Sequence, residues 1–218
     1  MAKRQVFFSF EYNKDAWRAS QVRNMGKVDN SSTFSDNDWE EVKEKTDAKI
    51  KEWIDNQMAK RSCLVVLIGA TTSGRKWINY EIEKAYELNK GIVGIYIHGL
   101  KDKNGNQTTK GSNPFYNILI GKNKERLSKY VECYESFHLT STYVYDDIKN
   151  NIEQLIEDAI SNALRMDPTQ AVYDDTSANG KTIPFGGYFE WLQPGGDLNL
   201  LTARNPVAML MQRNNSST

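Results

Sequence analysis

CLVVLIGATTSGRKWINYEIEKA, residues 63–85, decides the fold. It opens on six apolar residues, turns through GATTSG, and closes in an amphipathic stretch. The apolar run does not alternate with polar residues. It therefore reads as a strand covered on both faces, as in a parallel sheet. From Trp77 the pattern turns helical: WINYEIEKAYELN (77–89) places Ile78, Ile82 and Ala85 on one stripe at about 100° per residue. Strand, turn and helix in that order are the repeating unit of an α/β protein.

The same grammar runs outward in both directions. QVFFSF (5–10) is a second buried strand, and NKDAWRASQVRNMG (13–26) a helix with Ala16, Ala19, Val22 and Met25 on its apolar side, ended by Gly26. KVDNSSTFSDND is turn-rich, with Phe34 as its apolar anchor and room for a short edge strand. DWEEVKEKTDAKIKEWIDNQMAK (38–60) reads as one helix, capped by Asp38, with Trp39, Val42, Ile50, Trp53, Ile54 and Met58 at apolar positions. GIVGIYI (91–97) is a third unbroken strand, 98–115 a long polar loop suited to gating a site, and KYVECYESF (129–137) a further strand. The last strong element is an amphipathic helix over 146–165, followed by Pro168. The sum is a doubly wound parallel sheet with helices on both faces, formed by residues 1–165. Residues 166–218 change character to Gly, Pro and Asn, with an aromatic GGYFEWLQPGG, and read as a C-terminal extension.

Composition removes several function classes. Lys+Arg and Asp+Glu are both 28 in 218 residues, so the basic excess typical of a nucleic-acid binder is missing. Two cysteines make no disulfide framework, which points to a reducing compartment. The apolar run in MAKRQVFFSFEYNKD is too short for a secretory signal, and no stretch approaches the ~20 apolar residues of a membrane span. The expectation is a cytoplasmic protein with no membrane or nucleic-acid partner. His98 and His138, the two histidines, supply little for a catalytic triad or a metal cluster and read as solvated or capping residues.

GATTSGRK tests as a phosphate-binding loop and fails. G-x-x-x-x-G-K-[ST] needs lysine and then a hydroxyl for magnesium. Gly69 and Gly74 have the right spacing, but Arg75 and Lys76 hold the next two places. The turn reads instead as a strand-to-helix connection with Ser73 as cap. No G-x-G-x-x-G follows a strand. Glu81 carries more interest: it lies beside the buried stripe, within two turns of a helix that begins at the carboxyl end of a central strand, where open α/β sheets bind ligands. The helix dipole there favours an ionised carboxylate. On the residues alone, however, the position reads first as an exposed or salt-bridged helix glutamate.

Trp77-Ile78-Asn79-Tyr80-Glu81 resembles the TIR-domain signature in which a tryptophan precedes the catalytic glutamate by four. Ile78 stands where many TIR domains have cysteine, which suits a TIR-like branch. KRQVFFSFEYNKDAWRASQVRN (3–24), SDNDWEEVK (35–43), LVVLIGATTSGRKWINYEIEKA (64–85) and GIVGIYIHGLKDKNGN…GSNPF (91–115) together resemble the signal-producing TIR-like family of the Thoeris anti-phage system. The resemblance covers roughly residues 3–165 and implies a flavodoxin-like fold. It implies NAD+ as substrate, with no resident cofactor and no metal, and cleavage of the nicotinamide–ribose bond. The product would be a cyclic or modified ADP-ribose that activates a downstream effector. A phage-derived trigger and self-association are implied as well.

By the same resemblance Glu81 is the catalytic residue. Ser9, Phe10, Arg23, Asn24, Asp38, Ser73 and Trp77 are substrate-binding candidates, with Arg23 and Asn24 meeting phosphate or capping their helix and Trp77 orienting Glu81. Core packing remains open for Phe10, and capping for Asp38 and Ser73. Two other readings stand beside the enzyme. The enzyme requires Glu81 in a pocket with Ser9 and Phe10. A non-catalytic assembly module would leave Glu81 in solvent with no cavity beside it, and a nucleotide sensor would bind without turnover.

Overall fold

A computed structural model describes residues 3–29 and 45–166, and the backbone of two short strands at 172–173 and 183–184. In chain order the elements are β1 (Val6–Ser9), α1 (Tyr12–Arg23), α2 (Asp47–Ala59), β2 (Cys63–Ile68), α3 (Lys76–Glu87), β3 (Gly91–Tyr96), β4 (Leu119–Ile120), β5 (Glu125–Arg126), β6 (Cys133–Tyr134), α4 (Ser141–Met166), β7 (Val172–Tyr173) and β8 (Ile183–Pro184). One sheet runs β1-β2-β3-β6 with every neighbour parallel. The register sets Ser9 beside Val66 and Val66 beside Gly94. Parallel neighbours cannot be joined by a hairpin, so each step needs a crossover, and helices supply most of them.

The unbroken apolar strands are explained by cover on both faces. Val6, Phe8, Val65, Leu67, Val93 and Ile95 face α1 and α4. Phe7, Leu64, Val66, Ile68 and Ile92 face the other way, onto Met58 of α2 and Ile78, Ile82 and Ala85 of α3. Each fully buried Leu, Ile or Val stabilises by about 1.5–3 kcal/mol, so the six wholly buried residues of β2 anchor the domain. The doubly wound, flavodoxin-like α/β architecture is thus present.

Three expectations about elements are corrected, and one pair of strands is added. The helix predicted over 38–60 does not run through Lys45 and Thr46; its described part starts at Asp47, after an extended Thr46. The strand predicted over 129–137 shrinks to Cys133–Tyr134, because Lys129 closes a 3-10 turn anchored by buried Leu127 and only those two residues reach β3. A small antiparallel pair, β4 with β5, stands in the connection before β6 and was not anticipated. The last helix begins at Ser141, with Val144 in the core, rather than at 146.

The chain divides into two compact units, Met1–Asp167 and Pro168–Thr218. The second contains the antiparallel pair β7 and β8. Phe34, Asp38, Trp39, Val42 and GGYFEWLQPGG lie outside the described residues. Among the described residues, no helix is long and apolar enough to cross a membrane.

Candidate functional site

The carboxyl edge of the sheet gathers an unusual number of buried polar groups. Ser9, the last residue of β1, is 1 % exposed, and Glu81, in the second turn of α3, is 6 % exposed. They meet: Ser9 Oγ donates to Glu81 Oε2 at 2.5 Å. The strand delivers Ser9 to the α3 side because its side chain shares a face with Phe7 and points away from that of Phe8. The helix delivers Glu81 inward because it sits beside the Ile78, Ile82 and Ala85 stripe. Burial pushes the Glu81 carboxyl up to about 8, and the Ser9 hydrogen bond pulls only partly against it. The ionised carboxylate expected from the helix dipole is therefore corrected. A dipole acts over the first turn, and at the depth of Glu81 desolvation outweighs it.

Two residues beyond Ser9, Glu11 is the N-cap of α1, where its Oε2 accepts from the Lys14 backbone N–H at 2.8 Å. Its other oxygen, Oε1, lies 3.8 Å from Nη2 of Arg75, the residue that precedes α3. Arg75 Nε donates to the Thr71 carbonyl at 3.1 Å.

Behind this rim lies a second buried constellation. Arg18 pairs with Asp15 at 3.1 Å, both essentially inaccessible to water. Arg18 also donates to the carbonyls of Leu100 and Asn106, each at 2.9 Å, and lies 3.7 Å from Asp102. One side chain thereby ties α1 to the loop after β3, so the segment expected to act as a gate is fastened at several points. Asp15 abuts Gly69, where a Cβ would overlap its carboxyl, and Gly111 packs on the Gly69 carbonyl in the same way. Burial raises the Asp15 carboxyl, with Arg18 acting against it. Sequence periodicity put Ala16 on this face, but Asp15 and Arg18 occupy it. A buried ion pair carries no signal in hydrophobic spacing.

The remaining sequence candidates divide. Ser73 sits in the turn before α3 but does not cap it. Thr72 organises the turn, accepting from Gly69 N–H at 2.9 Å, and Arg75 holds the N-cap position with no side-chain cap bond. Trp77 packs with Tyr80 on Ile50 and Ile54, its ring 6.3 Å from that of Tyr80, which braces α3 on α2. Phe10 packs on the α1 and α4 side, across the sheet from the Ser9–Glu81 pair.

Arg23 and Asn24 are not brought to the site. α1 runs about 18 Å away from the carboxyl edge, and the chain beyond it returns to the amino edge, where Asp29 N–H donates to the Arg4 carbonyl. Asp38 lies outside the described residues. His98 is neither solvated nor a cap. It is half-buried after β3, 5.8 Å from the Tyr96 ring and 3.8 Å from Glu135, and burial lowers its pKa. A surface cavity of about 530 Å³, lined by Gln21, Lys101, Gln107 and Ser141 among others, opens on the α1 and α4 side and does not involve Glu81.

The family model for the TIR-like domain of the Thoeris protein ThsB matches residues 7–102. Residues 7–102 are thus similar to the TIR-like domain of the ThsB family. The matched span contains Ser9, Glu11, Arg75 and Glu81, the residues that meet at the sheet edge. The chain is also similar to a Bacillus cereus (strain MSX-D12) protein named "Putative cyclic ADP-D-ribose synthase ThsB1", with 42 % identity over 120 residues. That match takes in 53 % of this chain and 62 % of the relative, so it spans under two thirds of the relative's length.

Proposed function

We propose that this chain cleaves the nicotinamide–ribose bond of NAD+ and releases a cyclic or otherwise modified ADP-ribose as a signal. The signal acts on a downstream effector in anti-phage defence. The observation that carries this reading is the buried Glu81 carboxyl, hydrogen-bonded to Ser9 at the ligand-binding edge of a ThsB-type TIR-like domain. The name of the B. cereus relative, a cyclic ADP-D-ribose synthase, supports the product class. The burial of Glu81 meets one of the two marks that separate an enzyme from an assembly module. The other, a cavity beside Glu81, is not supplied by the cavity on the α1 and α4 side.

The chemistry asks little of the protein beyond this group. Nicotinamide leaves as a neutral base from a cationic glycoside, so the bond breaks without a general acid. Positive charge then spreads over the ribose ring and is stabilised by an adjacent carboxylate. Burial pushes the Glu81 carboxyl up to about 8 and so favours its protonated form before substrate binds. The cationic nicotinamide riboside moiety supplies the opposite charge that favours ionisation. The acceptor that attacks the ribose decides between hydrolysis, cyclisation and conjugation. The enzyme takes NAD+ as substrate rather than as a resident cofactor, works in the cytoplasm, and self-associates or awaits a phage-derived trigger.

The test is incubation with NAD+, with and without lysate of phage-infected cells, followed by mass spectrometry of the nucleotides. Glu81→Gln keeps the shape and removes the charge. The expected result is nicotinamide release that falls by roughly 10²–10³ in the variant. Absence of turnover in every condition, with equal ADP-ribose binding by both proteins, overturns the reading in favour of a nucleotide sensor.

A further inference from the structure

The two segments that the Ser9–Glu81 hydrogen bond joins are joined a second time, nearer to solvent. Glu11 lies two residues beyond Ser9, and Arg75 six residues before Glu81. Because α3 runs antiparallel to the strands, both steps lead outward from the buried pair. The site is therefore a ladder with an inner rung, Ser9 to Glu81 at 2.5 Å, and an outer rung, Glu11 to Arg75 at 3.8 Å. About 9 Å of helix axis separates Arg75 from Glu81.

We propose that Arg75 takes the diphosphate of the dinucleotide, and that Glu11 is the counter-ion that holds Arg75 in place until the ligand arrives. This rests on the NAD+ reading above and names how that substrate is gripped. A ribose at Glu81 presents its 5′-phosphates toward the outer rung. Arg75 is the cation placed to meet them. Its side chain is 48 % exposed while its partner is 6 % exposed, so the guanidinium can swing without uncovering itself. Its pair with Glu11 is too long for a hydrogen bond, and such a rim pair is readily exchanged. A phosphate offers the guanidinium fork a bidentate partner at closer range. Three other cations among the described residues are committed elsewhere. Lys76 pairs with Asp47 and lies over the Trp77 ring, Arg18 is buried against Asp15, and Lys110 holds Glu135 at 2.5 Å. Arg23, the phosphate candidate from sequence, stands at the far end of α1.

Glu11 then acts against the ligand. Its carboxylate competes for Arg75 and repels phosphate, so removing its charge tightens binding. Glu11→Gln keeps the oxygen that accepts from Lys14, and so keeps the α1 cap.

The experiment measures kcat and KM for NAD+ in the full chain, activated as above, for the wild type, Arg75→Gln, Arg75→Lys, Glu11→Gln and the Glu11→Gln/Arg75→Gln pair. Arg75→Gln is expected to raise KM roughly tenfold with kcat within a factor of two, as for the loss of one charged hydrogen bond. Arg75→Lys recovers part of that loss, and Glu11→Gln lowers KM about threefold. The double variant leaves no unpaired charge and carries the test if the single variant does not fold; its KM is expected to stay high. An unchanged KM in Arg75→Gln, or a Glu11→Gln effect that persists in full without Arg75, overturns the proposal while wild-type turnover keeps the NAD+ reading intact. Absence of wild-type turnover overturns the NAD+ reading and the proposal with it.

Discussion

At the scale of single residues, the catalytic role proposed for Glu81 predicts a pH profile. Its carboxyl is held up to about 8 by burial, and the ionised form is the one that stabilises a developing cation. The free-enzyme parameter kcat/KM should therefore rise about tenfold per pH unit up to roughly pH 8 and then level, as read from initial rates between pH 6 and 9.5. A profile flat across that range removes Glu81 from the ionisation that controls the reaction. Ser9 donates the hydrogen bond that stabilises the carboxylate. In Ser9→Ala the same limb is expected to move to higher pH, which a shift to lower pH would contradict. The helical pattern around Ile78 and Ile82 placed Glu81 beside the core. That it lies inside the core, against Ser9, depends on β1, which is 72 residues away in the chain.

At the scale of elements, Arg18 joins three pieces that sequence keeps apart: the first turn of α1, Leu100, and the Asp102–Asn106 turn. Arg18→Met leaves Asp15 buried without its cation and frees the loop after β3. The expected cost is about 3–5 kcal/mol, measured by urea unfolding, with faster amide exchange over residues 98–111. Asp15→Leu/Arg18→Met should recover most of that stability, because a buried pair replaced by apolar groups is often close to neutral. A double variant as unstable as the single one would show that the pair does more than cancel charge. Gly91 is a second test of packing. A Cβ there would lie 2.7 Å from the Ile160 backbone nitrogen, so Gly91→Ala must push α4 off β3, at about 1–3 kcal/mol. The strands and helices around these contacts were readable from periodicity. The contacts were not, since a glycine needed for close approach looks like any other glycine in a chain.

At the scale of the whole molecule, the raised carboxyls make stability pH-dependent. The folded pKa of Glu81 lies above its unfolded value, and that of Asp15 is shifted the same way. Their contribution is fully present below about pH 4 and is lost as pH rises through the folded value near 8 for Glu81. The melting temperature of the wild type should fall between pH 5 and 9, and Glu81→Gln should flatten much of that fall. For Glu81 the change is on the order of a few kcal/mol. Equal slopes in the two proteins would mean that other groups dominate. With 28 basic and 28 acidic side chains, the chain also carries no net charge at neutrality. Solubility should be lowest near pH 7 and rise on either side.

Sequence alone determined the architecture. Unbroken apolar strands at 5–10, 63–68 and 91–97, alternating with amphipathic helices, have one stable arrangement, a parallel sheet covered on both faces. It also drew attention to Glu81, beside the buried stripe of its helix, but only the resemblance to the TIR-domain signature gave that residue a catalytic role. Only the tertiary structure decided the company Glu81 keeps. Ser9 comes to it by strand register, Glu11 and Arg75 are brought together at the starts of α1 and α3, and Arg23 is carried to the opposite edge by the length of its own helix. Periodicity reports which side of an element is buried; it says nothing about which polar groups burial then forces to pair.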